Sequence, residues 1–102
     1  MNIDKLLGDA INEMKNVIGE AWPKAGKYVT RIVENNKEAI LEITEFYING
    51  ELSEDEFRDE LLDNMKTLET ELLVLNILKK KTVQDAVNAG IDTIISSLKL
   101  LR

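Results

Sequence analysis

Apolar residues recur at alternating intervals of three and four along most of the chain, which places them on one face of a helix. The first stripe contains Ile3, Leu7, Ala10, Met14, Val17 and Ala21, and similar stripes follow it. Together they predict four helices, at about residues 3–21, 24–49, 53–80 and 83–101. With short links between them, these helices predict an all-α fold, an antiparallel up-and-down four-helix bundle with a long central helical hairpin, in a single helical domain over residues 1–102.

The ends of the predicted helices carry recognisable stop and start residues. Pro23 disfavours helical backbone at the residue before it, so the first helix should end there. Gly50 can adopt the left-handed conformation that ends the second helix. Ser53 and Glu56 have the spacing of a capping box, in which each side chain bonds the backbone N–H of the other residue, and this predicts the start of the third helix.

Two further predictions concern the middle of the second helix, which allows two interpretations, and the start of the fourth. Asn36 occupies a core-type position in the second stripe, where a buried asparagine can fix register. Alternatively, Asn35 and Glu38 can cap a new helix and divide the segment; the continuous helix is the favoured prediction. Thr82 is predicted to cap the fourth helix, which leaves a tight connection around Lys81-Thr82.

The unequal lengths of the predicted helices indicate an exposed end. The second and third helices have 26 and 28 residues, about 39 and 42 Å, whereas the flanking helices are only about 28 Å long. The far end of the hairpin, residues 43–61, is called the tip below, and it should project beyond the flanking helices. Its apolar residues form the candidate interface: Ile43, Phe46, Tyr47, Leu52, Phe57 and Leu61.

The run Leu72–Leu78 is apolar on nearly every side of a helix, which predicts that it is covered by several neighbours. We therefore expect Leu75 to lie in the core, where its replacement by alanine costs about 2–5 kcal/mol.

Charge is distributed along the same axis. Residues 34–72 contain 13 acidic and 3 basic residues, a net charge of −10, whereas the other residues carry a net charge of +4. Folding at the midpoint is expected to bring two basic groups together at the end opposite the tip. They form a candidate basic patch of Lys24, Lys27, Arg31, Lys79, Lys80 and Lys81.

The composition argues against an enzyme and against bound cofactors. The chain contains no histidine and no cysteine, which removes the usual nucleophile systems and zinc ligand sets. Its five glycines are scattered, so no phosphate-binding loop is present. We expect no catalytic residues, no metal, no cofactor and no small-molecule substrate.

Nucleic acid and membrane are disfavoured as partners. The net charge of −6 is opposite to the basic surface that nucleic acid requires. On the fourth helix, Asp85 and Asp92 oppose contact with anionic lipid, and no apolar run has the roughly 20 residues that span a bilayer. The start of the chain lacks the pattern of a signal peptide, and we expect a cytoplasmic protein.

The turn between the second and third helices resembles the second half of an EF-hand calcium loop. Gly50 matches the turn glycine of that family, Leu52 its apolar position and Glu56 its bidentate carboxylate. The first half departs, because Glu45 stands where aspartate is expected and Tyr47 offers no carboxylate. A glycine stop followed by a capping box explains the same residues, and this structural turn is the favoured interpretation.

The sequence favours a non-enzymatic protein-interaction module that self-associates through the tip, as a homodimer, or docks on another protein. Exposed apolar surface of this kind commonly marks an interface. The alternative is an acidic inhibitor or immunity-type protein that binds and blocks a basic target, since the acidic segment would attract a cationic partner.

Overall fold

Five α-helices account for most of the chain in the computed structural model, which describes residues 2–101 apart from the side chain of Leu100. They are α1 (Ile3–Ile18), α2 (Trp22–Asn35), α3 (Lys37–Ile48), α4 (Glu54–Val74) and α5 (Lys80–Leu98). Short 3-10 turns occupy Gly19–Ala21 and Lys99–Leu101. The described residues contain no strand, and the predicted all-α class is confirmed.

Helices α1 and α5 pack closely and run in opposite directions. Leu6 near the start of α1 and Leu98 at the end of α5 line one cavity, whereas Met14 meets Gly90 further along. A Cβ atom at Gly90 would lie 2.7 Å from Cε of Met14. The glycine therefore allows the backbone of α5 to approach α1 at this point.

Ion pairs between helices show how α4 lies among its neighbours. Glu54 pairs with Lys99 at 3.3 Å and Arg58 pairs with Asp92 at 2.8 Å, so α4 and α5 run in opposite directions. At the other end of α4, Glu71 pairs with Arg31 of α2.

The second predicted helix is divided, and the favoured prediction of a continuous helix is wrong. Asn36 has φ −98° and ψ 5°, and it separates α2 from α3. Its side-chain Nδ2 donates a hydrogen bond to the carbonyl oxygen of Ile32 at 2.8 Å, which closes α2. No side chain caps the start of α3, so the break occurs without the predicted Asn35 cap.

The third predicted helix is too long by six residues, because α4 ends at Val74. Asn76 takes φ 55°, the left-handed conformation that asparagine tolerates better than most residues. The N–H of Ile77 donates to the carbonyl of Leu72 at 3.2 Å, and that of Asn76 donates to Leu73 at 3.1 Å. These two bonds form a Schellman motif, which satisfies carbonyl groups at the helix end.

The start of α5 is also earlier than predicted. Lys79 occupies the N-cap position and makes no side-chain cap hydrogen bond. Thr82 lies inside the first turn of α5, so its prediction as the cap is wrong. Lys79–Lys81 consequently begin α5 instead of ending the preceding helix.

These changes largely remove the predicted difference in length between the third and fourth predicted helices. The 21 residues of α4 span about 31 Å and the 19 of α5 about 28 Å, so α5 accompanies α4 along nearly its whole length. Apolar side chains from all five α-helices form one core. Its largest fully buried members include Met14, Val29, Ile40, Tyr47, Phe57, Leu61, Met65, Leu68, Leu72, Ile91, Ile94 and Leu98.

Within residues 2–101, no helix is both long enough and apolar enough to cross a membrane.

Candidate interaction surfaces

The tip is mostly part of the core, and the prediction that its apolar residues project bare is wrong. Tyr47, Phe57 and Leu61 are fully or almost fully buried. Ile43 and Leu52 are half-buried and pack against the core. Of the six candidate interface residues, Phe46 alone is exposed, with 41% of its surface accessible.

Helix α5 and an aromatic stack account for this burial. The rings of Tyr47 and Phe57 stack with centroids 4.4 Å apart and planes 13° from parallel, which joins α3 to α4. The ion pairs of Glu54 with Lys99 and of Arg58 with Asp92 place the end of α5 beside the start of α4. Because α5 reaches the tip, the apolar side chains there are covered within the chain.

The turn at the tip has the predicted stop and start. Gly50 has φ 80°, and the N–H of Glu51 donates to the carbonyl of Phe46 at 2.8 Å in a Schellman motif. The capping box is present, since the N–H of Glu56 donates to Oγ of Ser53 at 3.1 Å and the N–H of Ser53 donates to Oε1 of Glu56 at 2.9 Å. This backbone hydrogen bond, supported by the Ser53 hydroxyl, lowers the pKa of Glu56.

The EF-hand resemblance does not extend to the geometry of the turn. Glu45 and Tyr47 lie within α3 rather than in a loop. The carboxylate of Glu56 accepts the cap hydrogen bond from Ser53. Among residues 2–101, no group of three or more acidic side chains is arranged to hold a metal ion.

The main exposed apolar cluster lies at the opposite end of α4. Leu73, Val74 and Leu75 are 38%, 77% and 45% exposed, respectively. Leu75 is therefore not a core residue, and its predicted burial is wrong. The apolar run continues beyond the end of α4, so the sequence pattern does not show that the helix ends at Val74 and that these side chains are exposed.

A basic segment follows this apolar cluster directly. Lys79–Lys81 are exposed, and Lys81 pairs with Asp85 one turn further along α5 at 3.2 Å. Within residues 2–101, no carboxylate lies within salt-bridge distance of Lys79 or Lys80. We call the surface formed by Leu73, Val74, Leu75 and Lys79–Lys81 the junction patch.

The junction patch is positive for two reasons that reinforce each other. The N-terminus of a helix carries a partial positive charge, and cations in the first turn are unfavourable there. Lys79–Lys81 add full charges to this end of α5, where no side-chain cap is present. An anionic partner would be stabilised at this position.

The other predicted basic residues lie at the same end of the molecule. The pairing of Arg31 with Glu71 sets α2 beside the last turn of α4, so Lys24 and Lys27 on α2 lie towards the junction. The charge of Arg31 is offset by Glu71. The ring of Tyr28 lies beneath Lys27 and Arg31, at 5.2 and 5.4 Å from its centroid, respectively. The free positive charge is thus concentrated on the lysines.

A depression lined by both apolar and polar side chains lies between the start of α1 and the outer face of α3. It has a volume of about 530 Å³ and is lined by Ile3, Leu41, Glu45, Ile48 and Asn49. We call it the α3 groove. Glu45 is its charged lining residue, and the exposed Glu42 and Phe46 lie next to it along α3.

The apolar part of the junction patch, Leu73–Leu75, is a feature that sequence reasoning missed. Asn76 interrupts an apolar run and is followed by Ile77, which makes it a candidate for the left-handed residue that ends a helix. Placing the end of α4 there would have exposed Leu73–Leu75. The uniform hydrophobicity of Leu72–Leu78 favoured a continuous helix instead.

Comparison of the chain with models of known protein families, with curated proteins and with solved structures found no match.

Proposed function

We propose that this chain is a non-enzymatic protein-interaction module that binds a second copy of itself through the junction patch. We also propose that the helices are arranged as an antiparallel up-and-down bundle, in which α2 and α3 together form one bent segment. The single observation that carries the functional proposal is the exposure of three consecutive apolar side chains, Leu73, Val74 and Leu75, beside unpaired lysines.

The exposure of these residues is unfavourable in an isolated chain. Burying an apolar side chain of this size is worth about 1.5–3 kcal/mol. Removal of Val74 and its neighbours from water by a partner would therefore stabilise a complex. Clustered exposure of this kind is typical of interfaces, whereas single exposed apolar residues are common everywhere.

A second copy is favoured as the partner because the chain carries the complementary charge itself. Within the acidic segment 34–72, the exposed Glu42 and Glu45 of α3 supply negative charge, and the junction patch is positive. The overall charge of −6 opposes approach to an anionic membrane, although apolar residues beside lysines would otherwise suit one. Homo-oligomers are also the commonest assemblies of soluble proteins.

The experiment is a concentration series from about 1 µM to about 1 mM by light scattering, which spans weak to moderate association. The wild type is expected to exceed the 11.6 kDa mass of one chain as concentration rises, whereas Val74→Asp stays at that mass. Thr67→Asp is the matched control, since it adds the same charge to an exposed position about 10 Å earlier on α4. Circular dichroism establishes that both variants remain helical.

Two results would overturn the proposal. One is a wild-type chain that stays at 11.6 kDa throughout the series. The other is binding of the monomer to phosphatidylserine vesicles that is lost in Val74→Asp, which would make the junction patch a membrane contact.

One observation favours a second candidate function, the acidic inhibitor of a basic protein. Exposed carboxylates are dense around the tip, where Glu51, Asp55, Asp59 and Glu60 all face solvent. A basic target would be captured in a salt-sensitive manner, and reversal of Asp55 and Asp59 to lysine would abolish capture without affecting self-association. Phe57 is buried and cannot contact a target directly, so the test changes the exposed residues Asp55 and Asp59 instead.

A further inference from the structure

We infer that the surface which receives the junction patch is the α3 groove of the second copy, so that the chains associate head to tail. This inference rests on the proposed function, because it names the partner surface for the same self-association.

The two surfaces match in chemistry. The junction patch presents Val74 and Leu75 beside the basic Lys79–Lys81. The α3 groove presents the apolar Leu41 and Ile48 beside Glu45. Apolar contact with opposite charges at its edge is the arrangement that makes an interface both stable and specific.

The two surfaces also lie in different halves of the molecule. The junction patch surrounds the C-terminal end of α4, a helix about 31 Å long, whereas the α3 groove lies in the half of the molecule that contains the N-terminal end of α4. The described chain is elongated, with extents of 39 × 21 × 21 Å. Because of this separation, one chain cannot satisfy its own junction patch with its own groove, whereas a second copy can.

Direct contact between two junction patches is electrostatically unfavourable. It would bring Lys79–Lys81 of one copy against the same lysines of the other at two positive helix ends. Contact between two α3 grooves would likewise oppose Glu45 with Glu45. The head-to-tail arrangement removes both repulsions.

A mixing experiment with two variants tests this pairing. Val74→Asp damages only the junction patch, and Glu45→Lys places a positive charge in the α3 groove opposite the lysines. Each variant alone is expected to remain at 11.6 kDa. Their mixture is expected to associate, because the intact groove of the first variant meets the intact junction patch of the second.

Glu60→Lys is the matched control for Glu45→Lys, since it makes the same charge change at an exposed position on α4 and is expected to associate like the wild type. If Glu45→Lys alone associates as strongly as the wild type, or if the mixture remains at 11.6 kDa, the α3 groove is not the partner surface. The proposed function fails separately, when the wild type itself remains monomeric.

The absence of native cysteine allows an independent measurement of the same contact. Chains with Val74→Cys and chains with Glu45→Cys are mixed under mild oxidation. A predominant cross-link between unlike chains supports the head-to-tail arrangement. A predominant cross-link between two Val74→Cys chains would overturn it.

Discussion

The two turns that bound α4 are built in contrasting ways. At the tip, Gly50 supplies the left-handed residue without steric cost, and the Ser53–Glu56 capping box satisfies the start of the next helix. At the junction, Asn76 must adopt the left-handed conformation and Lys79 begins the next helix without a side-chain cap. The turn at the tip therefore has an unstrained left-handed residue and a side-chain cap. The turn at the junction has a left-handed residue other than glycine and no side-chain cap.

Burial follows the same division. The aromatic pair at the tip is enclosed by the core, whereas Leu73–Leu75 at the junction face solvent. Suboptimal helix caps are common in natural proteins, so the exposure of Leu73–Leu75 distinguishes the junction more than the missing cap does. This difference teaches that acidity and aromatic content do not by themselves indicate which side chains are exposed.

The largest expected effect compares one apolar residue from each end. Phe57→Ala is expected to lower the free energy of unfolding by about 3–5 kcal/mol, because it empties a fully buried site beneath the Tyr47 ring. Leu75→Ala should cost less than about 1 kcal/mol in dilute monomer, as at an exposed position. Urea denaturation measures both, and similar losses would remove the distinction between the ends.

The second comparison concerns the left-handed residues. Gly50→Ala is expected to cost about 1–2 kcal/mol, since alanine is strained at φ 80°. Asn76→Gly should instead raise the free energy of unfolding by about 0.5–1 kcal/mol, because glycine adopts φ 55° without strain. Thermal and urea unfolding of the two variants give the signs, and a destabilised Asn76→Gly would contradict this account of the junction.

The third comparison concerns the caps. Ser53→Ala is expected to cost about 1 kcal/mol, because the capping box loses its hydroxyl acceptor. Lys79→Ser should gain about 1 kcal/mol by supplying a cap to α5. Equilibrium unfolding measures the gain, and light scattering should show weaker association of the same variant because a lysine of the junction patch is lost. Stability and association that rise together would argue against a binding role for Lys79.

A change in stability of similar size is expected at a buried, unsatisfied hydroxyl group in the half of the molecule that contains the tip. The hydroxyl of Thr44 is fully buried, and it has no hydrogen-bond partner among residues 2–101. Thr44→Val is expected to raise the free energy of unfolding by about 1 kcal/mol, because it removes an unsatisfied polar group at nearly constant volume. Thr44→Ser, which retains the hydroxyl and loses a methyl group, is the control and should be destabilising.

The smallest effect is the pH dependence of the tip. The pKa of Glu56 is lowered from its ordinary value of 4.5, so its ionised form stabilises the folded chain. This contribution is present above pH 4.5 and is lost as pH falls through the lowered pKa. The difference in melting temperature between the wild type and Glu56→Gln should therefore shrink between pH 6 and pH 3. A difference that is constant with pH would show that the capping box does not depend on ionised Glu56.

The parts of the fold that could be predicted from sequence are those determined by the spacing of apolar residues or by residues that cap helices. The all-α class followed from the three-four spacing, and the turn at the tip followed from Gly50, Ser53 and Glu56. The junction could not be placed in the same way, because the apolar pattern continues through Asn76 and beyond the end of α4.

The predicted exposure of the tip was wrong as a consequence of that single boundary. A third helix extended to residue 80 made the hairpin longer than its neighbours and left the tip bare. With α4 ending at Val74 and α5 beginning at Lys80, α4 and α5 have similar lengths and the tip is covered. Whether Asn36 divides the second helix depends on a side-chain bond to Ile32, which periodicity does not reveal.

Amide hydrogen exchange at low and high protein concentration tests the central claim, that the junction patch is a contact surface and that the start of α4, residues 53–61, is not. The account predicts that protection at residues 73–81 rises with concentration, whereas protection at residues 53–61 stays the same. Protection that rises at residues 53–61 without change at the junction would contradict it.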